Sequence, residues 1–323
     1  MTSKQWMPEC PLSAIQKRAF LYQNIRQFFA GKNVMEVETP VLSQFANTDT
    51  QIDVFETQAI HAKEKRAFLR TSPEFFHKRL LAAGSGDIFE IAKVFRLGER
   101  SHLHNPEFTM LEWYRLDFEL QDLMHEVAEL INTLFVAFEL PKLPVRHQSY
   151  AQLFDAYVAI DPFDLSPKEL NKKCREFGFH GEDLERDAAL DFLFGVVIEP
   201  VLPNDELLFV DRFPASQAAL AQIDPVNPDV CLRFELLWNG VELANGYQEL
   251  TDTVEQKQRF EADNLWRESH DKAAMPIDQN LLSAIAAGLP PCSGVAVGLD
   301  RLLMHLLKAQ DLSAVLAFPA DKA

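Results

Sequence analysis

The stretch Phe89–Tyr114 (FEIAKVFRLGERSHLHNPEFTMLEWY) constrains the fold more than any other part of the chain. Two apolar runs flank a polar loop in it, and such runs predict two neighbouring strands. A loop that only reversed the chain would be shorter and would carry Gly, Asn or Pro at its apex. This loop instead holds Arg96, Glu99, Arg100, His102, His104, Asn105 and Glu107. The pattern predicts a charged ligand held between two strands.

Length and net charge narrow the class of ligand. With 323 residues, 47% of them hydrophobic, the chain can bury a large core in one large domain or in two. The formal net charge of −17 disfavours a nucleic acid as the main partner. We therefore expect a small metabolite or another protein as the partner.

The N-terminal residues MTSKQWMPEC contain no apolar signal core, and no window approaches about 18 consecutive apolar residues. We expect a cytoplasmic protein with no membrane association. The four cysteines, Cys10, Cys174, Cys231 and Cys292, show neither a CxxC pair nor a metal-ligand spacing. They are expected to be ordinary thiols.

Two helices are predicted in the first third of the chain. Ser13 is a candidate N-cap for a helix that Gly31 ends. Ser72 is a candidate N-cap for a second helix, with Pro73 in its first turn and Glu74 at its positive end.

The rest of the chain alternates between helix and strand signals. An apolar helix is predicted near Leu120–Phe138, and a helical middle region, about residues 149–201, has Ser149 and Ser166 as caps. The final third returns to strands, with a hairpin turning at Asn239-Gly240. Because no repeat or low-complexity linker interrupts the chain, we expect one continuous α+β domain.

The hairpin places carboxylates in phase with each other. Glu235 and Glu242 lie on opposite sides of the turn, so they can share one sheet face. Two carboxylates in apolar surroundings repel unless a cation lies between them, and Mg²⁺ with a polyphosphate is the usual solution. The alternative is two solvated carboxylates on an open sheet face.

Two arginines strengthen the polyphosphate interpretation. In GVAVGLDRLL, Arg301 lies just inside a predicted helix start, where a cation opposes the positive end of the helix dipole unless it reaches an anion. Arg96 ends a strand at the mouth of the polar loop. Together with the carboxylate pair, they indicate a nucleoside triphosphate with magnesium.

Three segments resemble the signature motifs of class II aminoacyl-tRNA synthetases: FFAGKNVMEVETPVL, FEIAKVFRLGERSHLHNPEFTMLEWY and GVAVGLDRLL. HNPEFTMLEWY and GVELANGYQELTD are similar to the lysine subgroup, and the resemblance extends from about Ile15 to Phe318. The segment that would correspond to an N-terminal anticodon-binding β-barrel is expected to be lacking, so that residues 1–323 would form a single catalytic domain.

The chain therefore resembles the stand-alone paralogues that attach a lysine-type residue to a lysine of translation elongation factor P. The acidic balance agrees, since tRNA binding favours a basic surface. The resemblance implies a six- or seven-stranded antiparallel sheet flanked by helices, a homodimer through the segment around Pro40, and no tRNA as the main acceptor. It implies that the substrate carboxylate attacks the α-phosphorus of ATP to give an adenylate and pyrophosphate.

By position, the resemblance assigns an ATP site. Arg96 would grip the α-phosphate, Phe108 would stack under adenine, and Arg301 would cover its other face. His104 and Asn105 would belong to the loop that closes over ATP. The remaining implied contacts are Leu97, Gly98, Leu243 and Gly298, with Glu235 and Glu242 as the magnesium carboxylates. The implied catalytic set is Arg96, Arg301, Glu235 and Glu242.

The resemblance also assigns an amino-substrate site. Glu112, Tyr114 and Glu249 would surround the side-chain ammonium, which converging carboxylates and a hydroxyl hold well. Glu74, with Ser72 beside it, would contact the backbone-side amine. Asn245 and Ala296 complete the implied set.

Two positions depart from the family pattern. Gly98 replaces an acid that usually accepts from the adenine amine, so either Glu99 substitutes for it or the backbone at Leu97 or Gly98 binds the amine. Ala296 stands where the synthetases have glycine, and one methyl group is worth roughly 1 to 3 kcal/mol of discrimination. This difference favours a lysine isomer such as (R)-β-lysine over α-lysine.

Two other classes of function remain open. The first is a truncated ligase that makes a free small amide. Its substrate would have no ammonium tail, so Glu112 and Glu249 would not be needed. A non-catalytic binding paralogue would not need Arg96, Glu235, Glu242 and Arg301.

Overall fold

One large mixed sheet organises the chain in a computed structural model that describes residues 6–58 and 66–323. The strands of the described residues are β1 (Met35–Glu36), β2 (Leu42–Ser43), β3 (Glu56–Thr57), β4 (Ala67–Leu69), β5 (Ile88–Phe95), β6 (Glu107–Leu116), β7 (Val145–Ser149), β8 (Leu207–Asp211), β9 (Arg233–Trp238), β10 (Val241–Gln248) and β11 (Cys292–Gly298). Its α-helices are α1 (Leu12–Ala30), α2 (Glu74–Ala82), α3 (Leu120–Ala137), α4 (Tyr150–Val158), α5 (Pro167–Glu176), α6 (Arg186–Phe192), α7 (Thr253–Ser269), α8 (Gln279–Gly288) and α9 (Leu299–Leu306).

The main sheet has the strand order β1-β5-β6-β11-β10-β9-β8-β7 among the described residues, and a second sheet has the order β2-β4-β3. The α+β class is confirmed. Within residues 6–58 and 66–323, however, the main sheet has eight strands and not the expected six or seven. Its six central strands are antiparallel, whereas β1 pairs in parallel with β5 and β7 with β8. Parallel pairs need a long crossover connection, and helices α4 to α6 lie in the connection from β7 to β8.

The two faces of the sheet have different partners. One face packs against α1, α3 and α9 in the largest core cluster, where Trp113, Phe234 and Val297 are buried. Burial of each such side chain contributes roughly 1.5 to 3 kcal/mol. The other face is covered at one end by α4 to α6 and at the other by α2, α7 and α8. A gap remains between these two covers.

Several local predictions are confirmed. Ser149 and Ser166 form capping boxes at α4 and α5. The hairpin turns at Asn239-Gly240, where both residues have positive φ, as a tight turn between twisted strands requires. All four cysteines are buried as free thiols. In residues 6–58 and 66–323, no helix is both long and apolar enough to cross a membrane.

Two of the expected caps are wrong. The N-cap of α1 is Pro11 and that of α2 is Pro73, and neither end has a side-chain capping bond. Ser13 therefore lies inside α1, and Ser72 precedes the cap of α2. Proline is acceptable at both ends because its missing N–H would have had no helical partner.

The close packing of the hairpin turn against Glu199 can be tested by substitution of Gly240. A Cβ on Gly240, at φ 64°, would lie 2.5 Å from the backbone oxygen of Glu199. Gly178, at φ 90°, has open space around it. We expect Gly178→Ala to lower the free energy of unfolding by about 1 to 2 kcal/mol and Gly240→Ala by about 2 to 4 kcal/mol. Urea unfolding measures both; equal losses would contradict the contact with Glu199.

Candidate functional site

A single row of side chains crosses five neighbouring strands on one face of the sheet. Strand register pairs Glu90 with Glu112, Glu112 with Ala296, Ala296 with Asn245, and Asn245 with Glu235. Directly paired residues point to the same face of a sheet. Four of the five carry a carboxylate or an amide, so this row forms a polar floor between two apolar covers.

A cavity of about 790 Å³ lies over the part of this floor from Glu112 to Glu235, whereas Glu90 lies outside the cavity lining. Sequence positions far apart converge on it, and its lining includes nearly all of the site residues expected above. These are Ser72, Glu74, Arg96, His104, Asn105, Phe108, Glu112, Tyr114, Glu235, Glu242, Leu243, Asn245, Glu249, Ala296, Gly298 and Arg301. Glu242 shares the face of Asn245 because the register between β10 and β9 shifts between Glu242 and Ala244, as in a β-bulge.

The two arginines lie at one end of the cavity. The Arg96 guanidinium lies 5.2 Å from the centre of the Phe108 ring. Arg301 donates to the Glu242 carbonyl oxygen at 2.9 Å and to the Leu103 carbonyl oxygen at 3.2 Å. These contacts hold two cations and an aromatic face together, as an aromatic nucleotide with phosphates requires.

The loop between β5 and β6 is attached to this arginine end. Arg301 Nη2 lies 2.6 Å from Nε2 of His104, which accepts the hydrogen bond as a neutral imidazole. Burial, together with the charge of Arg301, lowers the pKa of His104. Asn105 accepts from the backbone N–H of Ala320 at 3.0 Å. The loop is thus anchored both to α9 and to the C-terminal segment.

At the start of the same loop, the residues that line the cavity differ from those expected to contact the nucleotide. Among the described residues, Glu99 lines the cavity, whereas Leu97 and Gly98 do not. The Leu97 N–H donates to the Asp53 carbonyl at 2.8 Å, and Gly98 has a φ of 84°, which L side chains rarely adopt. The Glu99 carboxylate lies 3.5 Å from Arg96. Of these three residues, Glu99 is the one whose side chain lies at the cavity and beside Arg96.

The carboxylate pair lies on the cavity floor. Glu235 and Glu242 lie on the same face of the β9–β10 hairpin, and Arg233 donates to Glu235. Burial raises the pKa of Glu235 against the opposing charge of Arg233, and the nearby Glu242 raises it further. Burial, with the charge of Glu242, raises the pKa of Glu199 to about 7.

This repulsion is what a bound cation would relieve, so the pair fits Mg²⁺. In residues 6–58 and 66–323 no group of three or more His, Cys, Asp or Glu side chains has metal-binding geometry. The remaining oxygen ligands would therefore come from phosphates and water.

The opposite end of the cavity concentrates buried negative charge. Glu112 and Glu249 are buried, and Glu74 is partly buried. Lys78, which is fully buried, lies 2.7 Å from Glu74 and 2.6 Å from Glu249. Burial alone would lower the pKa of Lys78, but these two charges raise it. Tyr114 donates to Glu112 at 2.9 Å.

Two of these carboxylates, Glu74 and Glu249, thus share the ammonium of Lys78. Burial raises the pKa of both Glu74 and Glu249, although the charge of Lys78 opposes the rise. A buried carboxylate without a counter-ion binds a proton or a cation. The charge of this end of the cavity is therefore complementary to a ligand with an ammonium group.

Sequence reasoning missed several residues of the site. Lys78 follows Glu74 by one helical turn, a spacing that does indicate an ion pair. Arg233 alternates with Glu235 on β9, which places both on one face. Gly294, four residues before Gly298, gave only a weak glycine-spacing signal. A Cβ there would lie 2.3 Å from the Tyr114 ring and 2.5 Å from Glu249.

The sequence matches the family model for class II tRNA synthetases (D, K and N) over residues 8–322, and the chain belongs to this family. Its relatives include proteins named elongation factor P–(R)-beta-lysine ligase. The chain is 44% identical to the one from Haemophilus influenzae (strain PittGG) and 45% identical to the one from Mannheimia succiniciproducens, over 98% of both proteins in each case. It is 43% identical to the one from Haemophilus ducreyi, over 100% of this chain and 98% of the relative.

The close approach at Gly294 gives a test of the ammonium end. Gly294→Ala must displace Tyr114 or Glu249, so we expect at least a tenfold weaker affinity for an amino-acid ligand, with little change in ATP affinity. Gly31→Ala is the matched control, because a Cβ at Gly31 makes only ordinary 3.5 Å contacts. Calorimetric titration of both variants decides; unchanged amino-acid affinity in Gly294→Ala would refute the assignment.

Proposed function

We propose that this chain uses ATP to activate (R)-β-lysine as an adenylate and transfers the β-lysyl group to a lysine of translation elongation factor P. The names of relatives that match over nearly their whole length support the reaction. The observation that carries the proposal is the two-ended cavity, with arginines at one end and buried carboxylates at the other. An adenylate of a lysine-type acid has the matching charges.

In the first step, an oxygen of the substrate carboxylate attacks the α-phosphorus of ATP, and pyrophosphate leaves. Arg96 grips the α-phosphate while Phe108 and Arg301 enclose the adenine. These groups are preorganised by contacts within the protein, and positioning with charge neutralisation is the main source of rate in such a reaction.

Glu235 and Glu242 are proposed to hold Mg²⁺ in contact with the phosphates. The ion would neutralise charge that develops on the pyrophosphate leaving group. Arg233 keeps Glu235 on the cavity floor through their direct hydrogen bond. Asn245 lies beside Glu235 in the floor row and faces the same ligand.

The amino substrate occupies the acidic end. Glu112, Tyr114 and Glu249 surround the terminal ammonium, while Glu74 and Ser72 meet the amine nearer the carboxylate. Ala296 lies between Glu112 and Asn245 in the floor row. Its methyl group occupies space that a glycine would leave open, which favours the isomer whose amine lies one carbon further from the carboxylate.

In the second step, the amine of the acceptor lysine attacks the adenylate carbonyl, and AMP leaves. The net charge of −17 favours a protein acceptor over tRNA. We further propose a cytoplasmic homodimer joined through the segment around Pro40, where Met35 and Leu42 expose about half of their surface. A ligase that makes a free small amide is disfavoured, since such a substrate would not need the buried carboxylates.

The direct test is to incubate the protein with ATP, Mg²⁺, (R)-β-lysine and elongation factor P, and to measure the intact mass of the factor. The proposal requires a mass increase of one β-lysyl residue that disappears when the acceptor lysine is replaced. An unchanged factor, alongside charging of tRNA, would refute it.

Glu249→Gln is expected to raise the KM for the amino substrate by roughly 10- to 100-fold, because it removes a charge from the ammonium site. The KM for ATP should change by less than about threefold. Pyrophosphate exchange measures both constants. Equal effects on the two substrates would mean that Glu249 does not bind the ammonium.

The pH dependence follows from the raised pKa of Glu74 and Glu249. Only the ionised carboxylates bind the ammonium, so a proton competes with the substrate, and binding weakens as the pH falls through the raised pKa. We expect the KM for the amino substrate to rise as the pH is lowered from about 8.5 to about 6, well above the ordinary carboxylate range. A KM that is constant over this interval would contradict the charge imbalance; Glu249→Gln should flatten the profile.

A further inference from the structure

His77 is a buried histidine of α2 that lies behind the acidic end of the cavity. Its side chain is fully buried, and its two ring nitrogens contact carboxylates on two neighbouring strands. Nε2 lies 2.9 Å from Glu90, and Nδ1 lies 3.1 Å from Oε1 of Glu112. His77 therefore bridges a residue of the proposed substrate site and a residue outside it.

Both contacts require His77 to be charged. An ionised carboxylate only accepts hydrogen bonds, whereas a neutral imidazole carries a single N–H. The imidazolium is the form that donates to both carboxylates at once. Burial alone would lower the pKa of His77, but hydrogen bonds to Glu112 and Glu90 raise it. The pKa of Glu90 is lowered, since the hydrogen bond from His77 and its other partners outweigh burial.

Glu90 is fixed independently of the substrate site. Thr39 donates to Glu90 at 2.6 Å, and Arg70 donates to it at 2.8 Å. Arg70 is itself held by the backbone carbonyl oxygens of Thr39 and Lys93, each at 3.0 Å. The far side of the bridge is therefore a rigid, buried anchor.

The near side of the bridge selects one oxygen of Glu112. In the part of the chain that the structure describes, the side-chain hydrogen bonds of His77 and Tyr114 to Glu112 both use Oε1. Oε2 is then the oxygen that a ligand can take. Without His77, the Glu112 carboxylate would lose its link to Glu90 and could turn about its side-chain torsions.

We propose that His77 is a positioning residue for the amino substrate: as an imidazolium it fixes Glu112 through Oε1 and so presents Oε2 to the terminal ammonium. This role rests on the proposed function. It predicts that discrimination in favour of acids with a terminal amine depends on a residue that does not touch the substrate.

The test compares two acids in the pyrophosphate exchange reaction: (R)-β-lysine, and β-aminohexanoic acid, which has the same chain but no terminal amine. His77→Leu removes both donors, and His77→Gln keeps one donor group in a similar shape. For His77→Leu we expect the KM for (R)-β-lysine to rise roughly 10- to 100-fold, the loss that follows from removing a hydrogen bond to a charged group. The KM for ATP and the efficiency with β-aminohexanoic acid should stay within about threefold.

His77→Gln should show a smaller loss in the same direction, because its amide still donates to Glu112. His147→Gln is the matched control, since His147 is exposed on the edge strand β7, and it should keep wild-type selectivity. If His77→Leu does not fold, which thermal unfolding reveals, the selectivity of His77→Gln decides by the same ratio.

The proposal is overturned if folded His77 variants keep the wild-type preference for (R)-β-lysine over β-aminohexanoic acid, or if they lose activity equally with both acids. A wild-type protein that supports no exchange with (R)-β-lysine would instead refute the proposed function, and the role of His77 with it. Failure of the inference alone is thus recognised by wild-type activity with unaltered selectivity in the variants.

Discussion

The site depends on a shortage of positive charge around the buried carboxylates at the acidic end of the cavity. In residues 6–58 and 66–323, Glu74 and Glu249 share one cation, Lys78, while Glu112 lies beside them and is paired with His77. Glu112 and Glu249 are almost completely buried. Charges of one sign that are buried without enough counter-charge cost free energy, which a proton or an ammonium ligand recovers. We propose that the same imbalance, which weakens the empty protein, provides the affinity and the selectivity for a lysine-type substrate.

The fold tolerates this buried charge because one face of the sheet forms the apolar core while the other face carries the polar site. Leu111, Trp113 and Val297 alternate with site residues along β6 and β11 and bury the far face against helices. The near face then needs no apolar partner over the floor row, and the helices at its two ends leave the cavity between them. At the arginine end the contacts are with backbone carbonyl groups and His104, so Arg301 is positioned before any ligand arrives.

Much of the nucleotide end could be predicted from the sequence, because short-range signals mark it. The position of the hairpin turn predicted that Glu235 and Glu242 share one face. The position of Arg301 at a helix start predicted that it contacts an anion. The ammonium end depends on contacts between distant segments, such as Lys78 with Glu249 and His77 with Glu90, and no local pattern encodes them. The strand signal in VMEVETPVL covers β1, but the parallel pairing of this two-residue strand was not predicted, and β7 was missed because its sequence is polar. Ser72 was expected to cap α2 because serine commonly caps helices. The cap is instead Pro73, which has no N–H that would need a hydrogen-bond partner.

The most direct test of the charge imbalance is calorimetric titration of the wild-type protein with (R)-β-lysine in buffers of different ionisation enthalpy. If a buried carboxylate holds a proton in the empty cavity, substrate binding must release it at neutral pH, and the observed enthalpy will vary with the buffer. We expect net proton release for the wild-type protein, and less for Glu249→Gln. An enthalpy that is the same in every buffer would show that the empty site is already neutralised and would contradict the account.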